Sequence, residues 1–138
     1  MKKEEILNLI ESAEKHSLKH VEILSEYSIE CIENEFNGVG PDRWPSELRD
    51  ILSWLLQDVQ EAVIIHDMDY YKGGTRAEYN EANEVLGWNV RRLAKRKYGW
   101  WRPRRWFLMK LSYKMTELTD RYGWEGWTKP SGTQQDQC

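Results

Sequence analysis

An apolar repeat between Ser46 and Met68 constrains the fold more than any other part of this sequence. Its aliphatic residues recur every three or four positions, which is the period of one face of an α-helix. Because this segment is the most apolar in the chain, we expect it to form the central helix. The apolar positions are Leu48, Ile51, Leu52, Leu55, Leu56, Val59, Val63 and Met68.

Three further segments carry the same helical period. Residues 3–34 predict one long amphipathic helix, or two helices separated near His16 and Ser17. Helices over 75 to about 98 and over 104–121 follow the central one. No segment alternates as a half-buried strand would, so the sequence predicts an all-α fold.

Three polar side chains, His66, Asp67 and Tyr70, lie inside the predicted central helix. Positions 66 and 70 share one helix face and 67 lies beside them, because each residue turns the helix by about 100°. Burying such groups next to Ile64 and Ile65 is costly unless each finds a partner. A base, a carboxylate and a phenol grouped in this way predict the lining of a site.

The string HDMDY and the glycine-bearing loop FNGVGP at 36–41 together resemble the phospholipase A2 superfamily, especially its short, disulfide-free branch in viral capsid and prophage proteins. The resemblance covers about residues 36–86. It implies that His66 is the general base, that Asp67 binds calcium and that Tyr70 orients the histidine. The loop carbonyls that it implies as further calcium ligands are those of Phe36, Gly38 and Gly40. For the loop alone, an ordinary surface turn is the alternative.

Calcium suits such a site because it takes about six to eight oxygen ligands, which carbonyls, carboxylates and water can supply. The cation would polarise an ester carbonyl while His66 removes a proton from an attacking water. No serine or cysteine nucleophile is then required.

The partner of the histidine departs from the family pattern. The central helix is expected to stop at 73–74, and Thr75 with Glu78 forms a capping box that opens the next helix. Folding the two helices into an antiparallel pair places Asn83 opposite His66. The family usually has an aspartate here, and the equivalent exchange of aspartate for asparagine in a serine protease lowers turnover about 10⁴-fold. Asn83 is therefore predicted to be a weakened orienting partner.

A basic and aromatic arm occupies residues 88–114. Residues 1–70 contain 6 basic and 16 acidic groups, whereas 71–138 contain 14 basic and 7 acidic ones, and no acid lies between Glu84 and Glu117. The arm is predicted to bind an anionic partner. The residues chosen for that role are Arg91, Arg92, Arg102, Arg104, Arg105, Trp100 and Trp101.

Three readings of the arm stay open. Arginine and tryptophan suit a phospholipid or anionic membrane surface, where cations attract lipid and rings lie at headgroup depth. They also suit nucleic acid, which we rank lower, or an acidic host or virion protein. In the third reading the arm folds onto the acidic first half of the chain and its tryptophans fill the core.

The length of 138 residues predicts one helical domain over 1–122, with a phospholipase A2-like core at about 36–98. Residues 123–138 are predicted to be a loose tail, although Trp124 and Trp127 can dock back. The amino-terminal segment is charged throughout, so we expect cytoplasmic synthesis without a signal peptide. The family resemblance adds virion association to these expectations.

The sequence thus predicts a phospholipase A2-like antiparallel helical pair with extra amino-terminal and carboxy-terminal helices. The function implied by the resemblance is calcium-dependent hydrolysis of phospholipid sn-2 esters. The alternative is a catalytically inactive scaffold of the same fold, which binds a protein or nucleic-acid partner through the arm.

Overall fold

The computed structural model describes residues 2–36 and 57–128. Within these two stretches every regular element is helical, which confirms the all-α class. The helices are α1 (Lys3–Lys15), α2 (Ile29–Glu35), α3 (Gln60–Lys72), α4 (Arg76–Lys97), α5 (Pro103–Tyr122) and α6 (Trp124–Thr128), and a 3-10 turn at Val21–Ser25 lies between α1 and α2.

The amino-terminal segment forms separate helices, the second of the two arrangements that its sequence predicted, rather than one long helix. Helix α1 ends at Lys15, and the chain then turns through Ser17 and His20, whose φ angles are 52° and 63°. Such left-handed backbone is uncommon outside glycine and reverses the chain direction sharply. The 3-10 turn and α2 can therefore pack beside α1 rather than extend it.

Helix α3 is the central element. It contacts α1, α2 and the 3-10 turn as well as α4, and it buries Val63, Ile64, Ile65 and Met68. A helix that is enclosed on nearly all sides carries apolar residues on nearly all sides, which explains why its sequence has no single apolar stripe.

The predicted beginning of this central helix was wrong. We expected one continuous helix from Ser46, but residues 57–58 form a turn and α3 begins at Gln60. Asp58 in that turn accepts a 2.7 Å hydrogen bond on its carbonyl from Lys97 and pairs through its carboxylate with Arg104. These long-range contacts have no signal in the local apolar pattern. Positions 46–56 lie outside the described residues.

Helices α3 and α4 contact each other across a short connection, whereas a phospholipase A2-like pairing of the two stays a prediction. Gly73 and Gly74 turn the chain between them, with φ angles of 69° and 140° that favour glycine. The Thr75–Glu78 capping box is present at the beginning of α4. Helix α5 then packs antiparallel along α4, with a close approach at Gly87, where an added Cβ would lie 3.2 Å from the carbonyl oxygen of Ser112.

Helix α6 contains Trp124 and Trp127, the two tryptophans that the sequence allowed to dock back onto the protein. Trp127 is 3% exposed, and its indole donates a 3.0 Å hydrogen bond to the carbonyl of Gly74. Trp124 packs edge-on against Tyr79, with ring centroids 5.0 Å apart. None of the described helices is both long and apolar enough to cross a membrane.

Candidate functional site

The centre of the site is a hydrogen-bonded cluster between α3 and α4. His66 Nε2 lies 2.9 Å from Asn83 Oδ1, so the predicted pairing of these two residues is present. The Tyr70 hydroxyl donates to the same oxygen over 2.8 Å. The rings of His66 and Tyr70 lie 4.4 Å apart on their shared helix face. The structure therefore brings the three predicted catalytic residues together.

Asp120 on α5 determines which way the Asn83 amide points. Asn83 Nδ2 donates a 2.8 Å hydrogen bond to Asp120 Oδ1, which leaves the amide oxygen for His66 and Tyr70. An amide oxygen can only accept, so the proton of the neutral imidazole must be on His66 Nε2. The lone pair is then on Nδ1, the nitrogen that can act as a base.

Burial keeps His66 neutral. Its side chain is 4% exposed, and this desolvation lowers its pKa to about 4, although the hydrogen bond that His66 donates to Asn83 opposes the shift. Asn83 is fully buried and carries no charge that could stabilise an imidazolium. The carboxylate of the cluster belongs to Asp120, which is exposed and contacts Asn83 rather than His66.

Aromatic side chains hold Tyr70 in place. Its ring packs edge-on against Trp127 at 5.2 Å and lies 5.9 Å from Tyr79. Burial is the main reason why the pKa of the Tyr70 phenol is raised, so the phenol stays protonated and donates to Asn83. At the end of α5, Gly123 approaches so closely that a Cβ there would collide with the Tyr70 hydroxyl.

Asp67 lies beside the cluster and next to α2. Its side chain is partly exposed, and burial together with the nearby carboxylate of Glu35 raises its pKa to about 7. A cation beside Asp67 would relieve the effect of the Glu35 carboxylate on its ionisation, and the Asp67 carboxylate is the kind of hard oxygen ligand that calcium takes. The described residues contain no group of three His, Cys, Asp or Glu side chains arranged for a metal ion.

The remaining predicted calcium ligands can be placed only in part. Phe36 follows α2 directly, one residue after Glu35, and its side chain is fully buried. Gly38 and Gly40 lie outside the described residues. Any calcium site would thus combine the Asp67 carboxylate with oxygens at the carboxyl end of α2.

Three arginines of the predicted anion-binding arm make contacts within the protein. Arg91 donates to Ser112 Oγ over 3.2 Å and stacks over Tyr113. Arg92 donates a 2.6 Å hydrogen bond to the carbonyl of His16. Arg104 pairs with Asp58. Part of the arm therefore does fold onto the first half of the chain, as the intramolecular reading expected.

The other four predicted arm residues lie at the α4–α5 connection. Trp100 and Trp101 are 73% and 65% exposed, and Arg102 is exposed beside them. Arg105 is partly exposed on the first turn of α5, with its guanidinium 5.4 Å from the ring of Trp106. This end of the molecule is about 20 Å from the His66 cluster, given the ~1.5 Å rise per residue along α4 between Asn83 and Tyr98.

Sequence reasoning missed Asp120, the residue that orients the Asn83 amide. Asp120 is separated from Asn83 by the whole α4–α5 turn, so its role depends on how the two helices pack. The available signal was its position near the end of a strongly basic stretch, where an acidic residue is unusual.

Comparison of this chain with models of protein families, with curated proteins and with solved structures found no match. The resemblance to the phospholipase A2 superfamily therefore stays an expectation from the HDxxY string and the glycine loop of the sequence.

Proposed function

We propose that this protein is a calcium-dependent, phospholipase A2-like hydrolase of phospholipid sn-2 esters. The observation that carries the proposal is the chain of hydrogen bonds from His66 through Asn83 to Asp120. It gives the buried histidine the tautomer that a general base needs and links it to a carboxylate.

In this mechanism His66 Nδ1 takes a proton from a water molecule as the water attacks the ester carbonyl. Asn83 Oδ1 accepts from Nε2 throughout, and Tyr70 donates to that oxygen and keeps the amide in place. Asp67, with oxygens near Phe36, would hold the calcium ion. When bound, calcium supplies Lewis acidity and charge stabilisation at the ester oxygen.

The asparagine weakens this site less than the serine-protease comparison predicts. In that comparison the added amide group imposes the wrong histidine tautomer, which is why turnover falls about 10⁴-fold. Here Asp120 holds the NH₂ group of Asn83 away from His66, so the tautomer is correct and only the adjacent charge is missing. We expect slow hydrolysis rather than none.

The test is calcium-dependent release of fatty acid from mixed anionic and zwitterionic vesicles, compared between the wild type and His66→Gln. We expect release by the wild type, loss in the variant, and loss on chelation of calcium. Equal release by both proteins, or none from either with both folded by circular dichroism, would contradict the proposal.

Exchanging the two residues that share the hydrogen bond between Asn83 and Asp120 provides a second test. The single change Asn83→Asp would place two carboxylates within hydrogen-bond distance, since Nδ2 lies 2.8 Å from Asp120 Oδ1. Combining Asn83→Asp with Asp120→Asn keeps the hydrogen bond and moves the charge next to His66. The double variant should hydrolyse faster than the wild type and than either single variant. A double variant no faster than the wild type would speak against His66 as the base.

The inactive scaffold is the second candidate function. The 4% exposure of His66 and its pKa of about 4 favour it, because a general base works best with a pKa near the working pH. In this case the exposed end of the arm would bind the partner and the His66 cluster would serve only to join α3, α4 and α5.

A further inference from the structure

Four large aromatic side chains are exposed together where α4 gives way to α5. Trp100, Trp101, Trp106 and Phe107 are 73%, 65%, 52% and 63% exposed. We call them, together with Arg102 and Lys110, the aromatic tip. Exposing so many large rings in one place is unfavourable in water, so such a patch usually marks a contact surface.

The aromatic tip is a formed surface with a concave centre. Trp106 is fixed by a 2.7 Å hydrogen bond from its indole to the carbonyl of Trp100. A cavity of about 480 Å³ is lined by Trp101, Pro103, Trp106, Phe107 and Lys110, of which only Lys110 is charged. Its walls match a hydrocarbon group better than a polar one.

Cations surround these rings. Arg102 and Lys110 are exposed at the tip, and neither forms an ion pair with any of the described residues. No acidic residue occurs in the chain between Glu84 and Glu117. The tip therefore combines apolar rings with cations that pair with no acidic residue in the described part of the chain, which is the combination that favours an anionic lipid surface.

We propose that the aromatic tip docks into the headgroup region of an anionic lipid bilayer. Indole rings are favoured at that depth because one part of each is apolar and another can donate a hydrogen bond. Phe107 would enter the acyl boundary, and Arg102 and Lys110 would contact lipid phosphates.

Nucleic acid fits the tip less well. Base stacking needs open ring faces, but the guanidinium of Arg102 already lies 5.3 Å from the ring centre of Trp101, and that of Arg105 lies 5.4 Å from Trp106. The cavity next to Phe107 is also mainly apolar, and Lys110 is the one charged residue in its lining, so it offers few hydrogen-bonding groups to a base edge.

This docking surface is separate from the His66 cluster and does not depend on hydrolysis. The two lie about 20 Å apart along the α4–α5 pair, by the ~1.5 Å rise per residue. Vesicle binding by His66→Gln should consequently equal that of the wild type, so failure of one proposal leaves the other intact.

The experiment measures partition of the full chain onto vesicles of phosphatidylcholine with about one third phosphatidylserine, by sedimentation and by the blue shift of tryptophan emission. Two reversed cations, in Arg102→Glu with Lys110→Glu, should weaken partition at least about 30-fold, because each cation near such a surface contributes about 1 kcal/mol. Trp101→Ala with Phe107→Ala should abolish the blue shift. All four side chains are exposed, so these variants should fold.

The matched control is Lys2→Glu with Lys15→Glu, which makes the same change in net charge at exposed positions of α1 and its cap. It should bind within about threefold of the wild type. The proposal is overturned if the wild type does not bind these vesicles, or if the control weakens binding as much as the tip variant. Tip-dependent binding of a single-stranded oligonucleotide without vesicle binding would overturn it as well.

Discussion

At the scale of single residues, the side-chain amide of Asn83 is held by three hydrogen bonds. Its oxygen accepts from His66 and Tyr70, its nitrogen donates to Asp120, and its backbone carbonyl accepts from Thr116 over 3.1 Å. A buried amide that satisfies all these partners has only one orientation, because a flip would set donors against donors.

This orientation predicts an effect of Asp120, a positioning residue that does not touch the substrate. In Asp120→Ala the Asn83 amide can turn its NH₂ towards His66, so hydrolysis should fall at least about 10²-fold, towards the 10⁴-fold loss of a wrong tautomer. The nitrogen chemical shifts of the His66 ring should show the change of tautomer. The matched control is Glu117→Gln, which removes an exposed charge from the same helix and should keep activity and shifts. If Asp120→Ala stays active and its His66 nitrogen shifts are unchanged, Asp120 does not determine the tautomer of His66.

Asp67 predicts a stability effect that depends on pH. Its pKa is raised to about 7 in the folded protein, so between about pH 4 and 7 the folded state binds more protons and stability falls as pH rises. Asp67→Asn should therefore be more stable than the wild type at pH 8. We expect its free energy of unfolding to be about 2 kcal/mol higher. This is half of the roughly 4 kcal/mol that the pKa shift represents, because the Asp67 side chain is partly exposed.

Urea unfolding at pH 8 and at pH 4 checks this, since the difference should disappear at the lower pH. Calcium should stabilise the wild type at pH 8 and leave Asp67→Asn unchanged if Asp67 is a ligand. A variant that is less stable than the wild type at pH 8 would be contrary to expectation.

The residues of the cluster differ in how far they could be predicted. The Asn83 contact with His66 followed from a local hairpin, because Gly73–Gly74 and the Thr75 capping box determine how α4 returns along α3. Asp120 could not be found in this way, since α5 can pack on α4 in many rotations. Only packing of the whole hairpin selects one.

At the scale of helices, boundaries were predictable where a local signal marks them. The bounds of α4 and α5 follow from the capping box at Thr75 and from Gly99 and Pro103. The beginning of α3 has no such signal, because its apolar period continues through a turn that Lys97 of α4 and Arg104 of α5 stabilise. Tertiary contacts override the local pattern there.

The close packing of α4 and α5 predicts an unusual response to Gly87→Ala. In an exposed helix this change stabilises by about 0.5–1 kcal/mol, but here the new Cβ would collide with Oγ1 of Thr116. Overpacking of this kind costs about 1–3 kcal/mol, so we expect net destabilisation of about 1 kcal/mol in urea unfolding.

Thr116→Ala in the same chain removes the atom that collides with the new Cβ. The double variant should therefore recover stability relative to Gly87→Ala, giving a favourable coupling in a double-mutant cycle. If Gly87→Ala alone is as stable as the wild type, the two helices do not approach as closely as described.

At the scale of the whole molecule, positive charge and exposed rings gather at one end and the His66 cluster lies towards the other. Cations that also belong to the basic half are drawn inward, as in the 2.7 Å ion pair of Lys97 with the buried Glu61. The exposed cations of the aromatic tip, Arg102 and Lys110, therefore differ from the cations of the basic arm that form ion pairs within the protein.

This asymmetry predicts an orientation on lipid. With brominated acyl chains, quenching of tryptophan emission should come from Trp100, Trp101 and Trp106 and should disappear when all three are changed to Phe. Changing Trp124 to Phe, at the opposite end of α5, should leave the fractional quenching almost unchanged. Equal losses in the two variants would mean that the molecule lies flat on the bilayer rather than standing on its tip.

The outward position of Asp120 has a consequence for how the buried histidine can be controlled. Asp120 is exposed and lines a cleft of about 840 Å³, whose other charged residues are Glu81, Glu84, Glu117, Lys19 and Arg91. Because Asp120 faces this cleft, a change in its charge would act on the hydrogen bond that it accepts from Asn83 Nδ2, and through Asn83 on His66. The solvent around Asp120 would in this way influence a buried histidine that it does not contact, through the side chain of Asn83.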